Sequence, residues 1–453
     1  MVTNQTKIRE LILHGNLYKV FLAISFPILV TNIIQACYEL TDMFYVGKLG
    51  AVPLAALSLT GPINFLIMVF AMGMAMGSIS FMSKSIGEGT FSKFSKYAGQ
   101  LLFLNFISSL FVTVFILLSI DFILDFMSVK GELRELTKSY FYVTTYAIPV
   151  MFLSVSITYI LNSQGETITS MIIILIANII NFILDPILMF NFDLGIAGAA
   201  WATFFSKLVT VFSYLLLTYG LNRGFKINVG DIMPDVAIMK NIFNLGFPAA
   251  FGQIMTSLSF LVFNYLVIQI SPKFLAAYGL TNSIIAFLLL PGMSIGTGLI
   301  TIVGQNLGAK NVDRIGYALK KGFFVSLVVL LTINAVVIFF REVIVTFFTS
   351  DLEVLNYASD YLLLASIGTV GYGLQQVFFG GLIGSGFTKL VMVIVCVRLW
   401  IIRLPAVLVF QYFGVMENSL GYAFIISNYA AFLILLYFTL TKYWLKLPHS
   451  LSN

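Results

Sequence analysis

Charge is what this sequence has least of: Asp, Glu, Lys and Arg make up 10% of its 453 residues, against about 25% in ordinary globular domains. With 59% of the chain hydrophobic, that shortage excludes a soluble fold and points to a bilayer. Cysteine and histidine are nearly absent, at two residues each. Cys37 and Cys396 fall inside apolar runs, where a thiol is expected as a small buried hydrophobe rather than a disulfide, a metal ligand or a nucleophile. His14 and His449 stand at opposite ends, so no histidine-based metal motif is available, no Gly-x-Ser-x-Gly nucleophile motif is expected in any span, and an intramembrane enzyme is therefore not expected. The first 19 residues are polar and lack the apolar core and cleavage site of a signal peptide. The first span is therefore expected to serve as the insertion signal and to stay.

What is present is a succession of apolar runs, each near the length of about 20 residues that a bilayer requires. Breaks at glycine, proline and charge clusters predict twelve spans, beginning near residues 17, 53, 98, 138, 166, 195, 238, 275, 316, 355, 388 and 418. One set of connecting segments is rich in Lys and Arg, among them Lys7, Arg9, Lys84, Lys93, Arg223, Lys310, Arg314, Lys389 and Lys446. The opposite set holds only Lys48, Lys130, Arg134, Lys138, Lys273 and Arg341. The bias places both termini in the cytoplasm of a multi-pass cell-membrane protein. It also explains the net charge of +6 without a nucleic-acid partner.

The chain repeats itself. Residues 26 to 89 align without a gap on 247 to 310, at a constant offset of 221. Phe26-Pro27 falls on Phe247-Pro248, Leu54-Ala55-Ala56 on Leu275-Ala276-Ala277, Thr60 on Thr281 and Gly77 on Gly298; further on, Gly165 falls on Gly386 and Thr167 on Thr388. Glycines and prolines matched at one spacing indicate duplication. The expected fold is thus an all-α membrane protein with two homologous six-helix lobes, 1–221 and 238–453. Residues 222–237 form a cytoplasmic linker. An even number of spans per half makes the repeats parallel, around a central cavity suited to alternating access.

Several local motifs carry a resemblance. They are Asp42-Met43-Phe44-Tyr45-Val46-Gly47, Gly165-Glu166-Thr167, Asn181 with Asp185-Pro186, Gly195-Ile196-Ala197-Gly198, and Gly304-Gln305-Asn306-Leu307-Gly308-Ala309. As a set they resemble the multidrug and toxic compound extrusion (MATE) transporters over essentially the whole chain. The resemblance implies export of organic compounds in exchange for sodium or protons. It sets Asp42, Asn181, Asp185 and Thr203 where the DinF-like and archaeal branch has its N-lobe cation site, and Pro27 where the first helix bends. In the NorM-like branch a glutamate follows the seventh-span proline by eight residues; this chain has Thr256 there, which puts a C-lobe acidic site in doubt.

Intramembrane charges are costly and mark function by default. Asp42 and Asp185 come out at one depth, roughly 7 to 8 Å below the outer boundary at 1.5 Å per residue. Glu39 lies one turn from Asp42 on the same face. Together with the Asn181 amide, the Thr203 hydroxyl and a carbonyl freed by Pro186, the acids offer hard oxygen ligands to Na+. Alternatively, two adjacent carboxyls load and release a proton as a pair. Lys207, one turn from Thr203, is expected as an internal counter-ion.

Arg398, Arg403 and, more speculatively, Gln253 mark the second lobe as the substrate side, with Asp360 a candidate partner for Arg403. The Met- and Phe-rich stretches are expected to be mostly packing, and Gly73 with Gly77 a close-packing pair. The predicted function is a monomeric antiporter exporting amphiphilic, drug-like compounds in exchange for Na+ or H+. Its partners are membrane lipid, the organic solute and the coupling cation, with no other cofactor. The two guanidinium groups favour one alternative, a flippase or exporter of a lipid-linked or phosphate-bearing anion.

Overall fold

The computed structural model describes residues 4–221 and 226–443. Arg223, Gly224, Lys446 and His449, and with them part of the expected linker, lie outside the described residues. Among the described residues every element is helical. A short α1 (Asn4–His14) precedes α2 (Leu17–Leu49), α3 (Ala51–Glu88), α4 (Phe91–Phe126), α5 (Gly131–Gln164), α6 (Thr167–Pro186) and α7 (Gly195–Leu215). After the short α8 (Val229–Ile232) come α9 (Val236–Ile268), α10 (Pro272–Gly308), α11 (Val312–Phe339), α12 (Arg341–Thr346), α13 (Leu352–Gly384), α14 (Thr388–Cys396), α15 (Leu404–Tyr412) and α16 (Ser419–Leu440).

Three stretches of π-helix extend or join these elements. Ile187–Asn191 follows α6, Leu216–Gly220 follows α7, and Val397–Arg403 joins α14 to α15. Twelve segments are long and apolar enough to cross a membrane. Their starts agree with the predicted ones to within seven residues. The largest differences, at α4 and α5, arise because polar first turns carrying Lys93, Lys96, Glu132 and Arg134 are helical although they are not apolar.

Turn chemistry repeats with the sequence. Gly165 ends α5 at φ 82° and Gly386 follows α13 at φ 84°, a left-handed conformation that only glycine adopts freely. These are the repeat-related pair of the sequence. In the connecting segments where cations are few, three of the six form close ion pairs. Arg134 bridges Asp121 (3.0 Å) and Asp125, Lys138 meets Asp121 at 2.7 Å, and Lys273 meets Glu353 at 2.6 Å. Backbone N–H groups of Glu353 and Val354 cap onto Asp351 and hold its carboxyl below the usual carboxylate range. On the Lys- and Arg-rich side, Arg9 donates to the Ile86 and Gly87 carbonyls that end α3. Arg314 likewise donates to the Ile12 carbonyl that ends α1.

The chain divides into two compact units. One comprises Met1–Arg9 with Val30–Ala250, the other Glu10–Leu29 with Phe251–Asn453. Each unit therefore takes in the first part of a helix from the other repeat, and the two changeover points, after Leu29 in α2 and after Ala250 in α9, are again 221 residues apart. Glycine seams seat these borrowed segments. A Cβ on Gly77 would come within 2.5 Å of the Gly246 nitrogen in the first unit, and one on Gly298 within 2.3 Å of Ser25 Oγ in the second. Gly77 pairs with Gly298 under the repeat, and Ser25 with Gly246, so one packing solution is used twice. The expected Gly73–Gly77 pair is thus a seam against α9, since Gly73 faces Ala250 in the same way.

Two expectations are corrected. Cys37 is exposed and Cys396 half-buried, because neither lies on the packed stripe of its helix. Gly292-Met293-Ser294-Ile295-Gly296 has the spacing of a nucleophile elbow, which needs a strained strand-to-helix turn. Here it lies inside α10, Ser294 Oγ donates back to the Leu290 carbonyl at 2.7 Å, and its glycines pack on Gly373 and Gln376.

Candidate functional site

In the first unit, α2, α6 and α7 converge on the two acids. Asp185 and Asn181 are fully buried on α6, one turn apart, while Asp42 is half-buried on α2. Their separation of four residues puts Asn181 and Asp185 on one face of α6. The Asp42 and Asp185 carboxyls are in hydrogen-bond contact with each other. With its amide nitrogen turned to the acids, Asn181 donates to Asp42 Oδ1 and Asp185 Oδ2, each at 3.3 Å, and its oxygen faces the Thr203 N–H at 3.2 Å. That orientation is assigned from the hydrogen bonds, since the opposite one turns the carbonyl oxygen towards carboxylates. Thr203 Oγ1 shares a 2.7 Å hydrogen bond with the Tyr38 hydroxyl.

The positive charge nearest this cluster is that of Lys207. Its ammonium lies over the Tyr38 ring, 5.2 Å from the centroid, and its charge reaches Asp42 and Glu39. Among the described residues no ion pair joins it to either acid. Glu39 is exposed and bonds to Gln35. Pro27 lies within a continuous α2, two residues before the changeover between units.

Tyr38 and Tyr140 belong to the cluster and were missed in the sequence. Tyr140 is buried on α5 within the field of both acids. The signal for Tyr38 was its spacing of one turn from Asp42; Tyr140 gave none, since it reaches the site from another helix.

Two carboxyls in contact at membrane depth cannot both keep their charge unaided. They need a proton between them or a cation bound to them. The two carboxyls and the Tyr38 and Thr203 hydroxyls are hard oxygens, the ligand type that alkali and alkaline-earth cations prefer, whereas Asn181, expected as an oxygen ligand, turns its amide N–H groups to the acids and its oxygen to the Thr203 N–H.

In the second unit the π-helical Val397–Arg403 carries two buried arginines, 3% and 8% exposed. Five residues apart, they would point about 140° from each other on an α-helix. The i to i+5 winding of a π-helix instead turns them to one side. Both reach Asn428 Oδ1, Arg398 from Nη1 at 3.2 Å and Arg403 from Nη2 at 2.7 Å, and Arg403 Nε donates to Ser427 Oγ at 2.8 Å. The Asn428 amide nitrogen donates to the Gly368 carbonyl at 3.1 Å, which fixes its oxygen towards the arginines. Arg398 stacks on Tyr372, and Arg403 on Phe424 and Phe263.

The expected pairing of Arg403 with Asp360 does not form. Asp360 is exposed on α13, and Arg403 is turned inward to α16 instead. Among the described residues neither arginine has an ion pair. Gln253 is half-buried on α9 in the same unit, and its backbone carbonyl accepts from Ser257 Oγ at 3.1 Å.

The MatE family model matches residues 27–187 and again 248–409. The starts of the two matches differ by 221 and their ends by 222, so the second is one residue longer. The multidrug export protein MepA of Staphylococcus haemolyticus is 24% identical over 373 residues, covering 82% of this chain and 82% of MepA. An FAD transporter of Shewanella oneidensis is 27% identical over 405 residues, covering 88% and 89%. A solved structure, the outward-facing conformation of a multidrug resistance MATE family transporter of the MOP superfamily, superposes at a TM-score of 0.90 with 22% identity, covering 96% of this chain and 98% of that one. At that identity the superposition speaks for the fold alone. Duplicated helices, buried acids in the first repeat and a double family match covering most of the sequence lead to one conclusion: the chain belongs to the MATE family of membrane transporters.

Proposed function

We propose that the protein exports organic, amphiphilic compounds by alternating access, driven by Na+ or H+ entering through the Asp42–Asp185 site. The observation that carries this is the contact of two carboxyls deep in the fold, with a lysine nearby that forms no ion pair with them. Such a site holds its charge balance only by taking up a cation or proton, and giving it up again restores the unbalanced state. That is the behaviour a coupling site needs. The names of relatives such as MepA support export of drug-like solutes. Both termini are placed in the cytoplasm and the protein acts as a monomer in the cell membrane.

The test is flux from proteoliposomes under a sodium gradient and a proton gradient imposed separately. One gradient should drive export of a lipophilic dye; if neither does, coupling at the acids is wrong. A second expectation concerns Lys207. Without its competing charge, Lys207→Met should bind the coupling ion about 10-fold more tightly, worth ~1.4 kcal/mol. The half-saturating ion concentration for flux checks this, and an unchanged value would remove the counter-ion role.

A second reading, export of an anionic solute, is favoured by the buried Arg398–Arg403 pair. A relative named as an FAD transporter supports it, since FAD carries phosphate groups.

A further inference from the structure

The arginine pair stands at the repeat-related counterpart of the acidic site. In α6 the buried positions include Thr167, Ile173, Ala177 and Asn178; in the eleventh span they include Thr388, Ile394, Arg398 and Leu399, all at the offset of 221. Beyond this point the next buried positions are Asn181 and Asp185 in the first repeat, Arg403 and Val407 in the second. The offset has become 222. The π-helical Val397–Arg403 supplies the reason, because a π-bulge inserts one residue into an α-helix. The second family match is likewise one residue longer. In the last spans the offset is 221 again, with Gly198, Ala202, Ser206 and Thr210 buried as Ser419, Ala423, Ser427 and Ala431 are. The π-helical Ile187–Asn191 of the first repeat takes up the difference.

Under this register Asn181 corresponds to Arg403, Asp185 to Val407, Asp42 to Phe263 and Thr203 to Phe424. Contacts in the second unit support the correspondence. The Arg403 guanidinium lies 5.9 Å from the Phe263 ring and 4.6 Å from the Phe424 ring, the counterparts of two cation-site residues. Where the first repeat gathers carboxyls around an amide, the second has apolar walls around a guanidinium.

Two buried like charges without a counter-charge are strongly unfavourable. Beside Arg403 stand the like charge of Arg398 and the uncharged phenols of Tyr278, Tyr361 and Tyr372, and among the described residues no carboxylate forms an ion pair with either arginine. Arg398 Nε is buried with no hydrogen-bond partner. Asn428 offers both arginines a neutral oxygen, which satisfies hydrogen bonds but leaves the charge uncompensated. A guanidinium fork binds a carboxylate or phosphate through two parallel N–H donors.

We infer that Arg398 and Arg403 form a binding site for an oxyanion, the carboxylate or phosphate group of the exported solute. The solute assignment rests on the export function proposed above; the site itself does not. The protein thus carries one electrostatic site per repeat, a cation site in the first and an anion site in the second.

The test uses the full chain purified in an uncharged detergent, with melting temperature read against inorganic phosphate, benzoate and micelles containing phosphatidic acid. Wild type should be stabilised by at least one oxyanion, and Arg403→Gln should need at least 10-fold more of it. A response confined to phosphatidic acid identifies the source as a lipid headgroup, and a response to benzoate or phosphate a soluble anion. Asn428→Asp provides a second variant that preserves shape. It places a carboxylate against both arginines, so it should melt higher without ligand and lose the response to oxyanions.

In proteoliposomes under one ion gradient, Arg403→Gln should lower the flux of a carboxylate dye at least 10-fold more than that of a cationic dye. No stabilisation of wild type by any of the three probes would overturn the site, as would an unchanged response in both variants. Arg403-dependent stabilisation with no flux of either dye would sustain the site and overturn the export function.

Discussion

Asp185→Asn is expected to abolish ion-driven accumulation of solute while leaving the protein folded. The side chain is fully buried, in contact with Asp42 and bonded by Asn181. An amide of the same shape keeps the hydrogen bonds but removes one of the two charges whose neutralisation defines the loaded state. One monovalent ion crossing a potential of 100 mV releases about 2.3 kcal/mol, enough for a solute ratio of about 50-fold. The variant should lose that ratio and equilibrate its solute passively. Accumulation of a dye in inverted vesicles, compared at equal protein and melting temperature, measures the loss. Accumulation near the wild-type value would mean that the acids hold the first unit together without serving transport.

The second large effect is structural. Gly380→Leu should prevent accumulation of folded protein. In the second unit α10 and α13 approach backbone to backbone, and a Cβ on Gly380 would lie 2.1 Å from the Gly296 carbonyl oxygen. The seam continues at Gly292, whose Cβ would meet Gly373 Cα at 2.6 Å, and at Gly384, whose Cβ would meet the Ile300 carbonyl oxygen at 2.7 Å. Overpacking against side chains typically costs about 1–3 kcal/mol because they can turn aside. A backbone cannot turn aside, so the helices must separate along the seam. The cost then approaches a net stability of only about 5–15 kcal/mol. Gly279→Leu on the same α10 has nothing within 4 Å of its Cβ and should be tolerated. Size-exclusion profiles of fluorescently tagged variants compare the two, and a monodisperse Gly380→Leu peak of normal height would count against the seam.

The sequence by itself determined the twelve spans, because a bilayer demands about 20 apolar residues per crossing and nothing distant has to be known to count them. It also determined the duplication, through glycines and prolines whose backbone requirements are local. The inequality of the repeats was legible as well, since the offset of 221 sets Phe260 opposite Glu39 and Phe263 opposite Asp42. Tertiary structure alone decided which helices meet.

The transfer of Glu10–Leu29 to the second unit, and of the stretch of α9 up to Ala250 to the first, left no mark in hydropathy, since a segment is equally apolar whichever neighbour covers it. Tyr140 joined the acidic site, and Asn428 rather than Asp360 met the arginines, because contact between helices depends on their rotation about their own axes. A single inserted residue changes that rotation. The π-helical Val397–Arg403 does so in the second repeat, turning Arg398 and Arg403 to one side of a helix whose α-helical period would have held them apart.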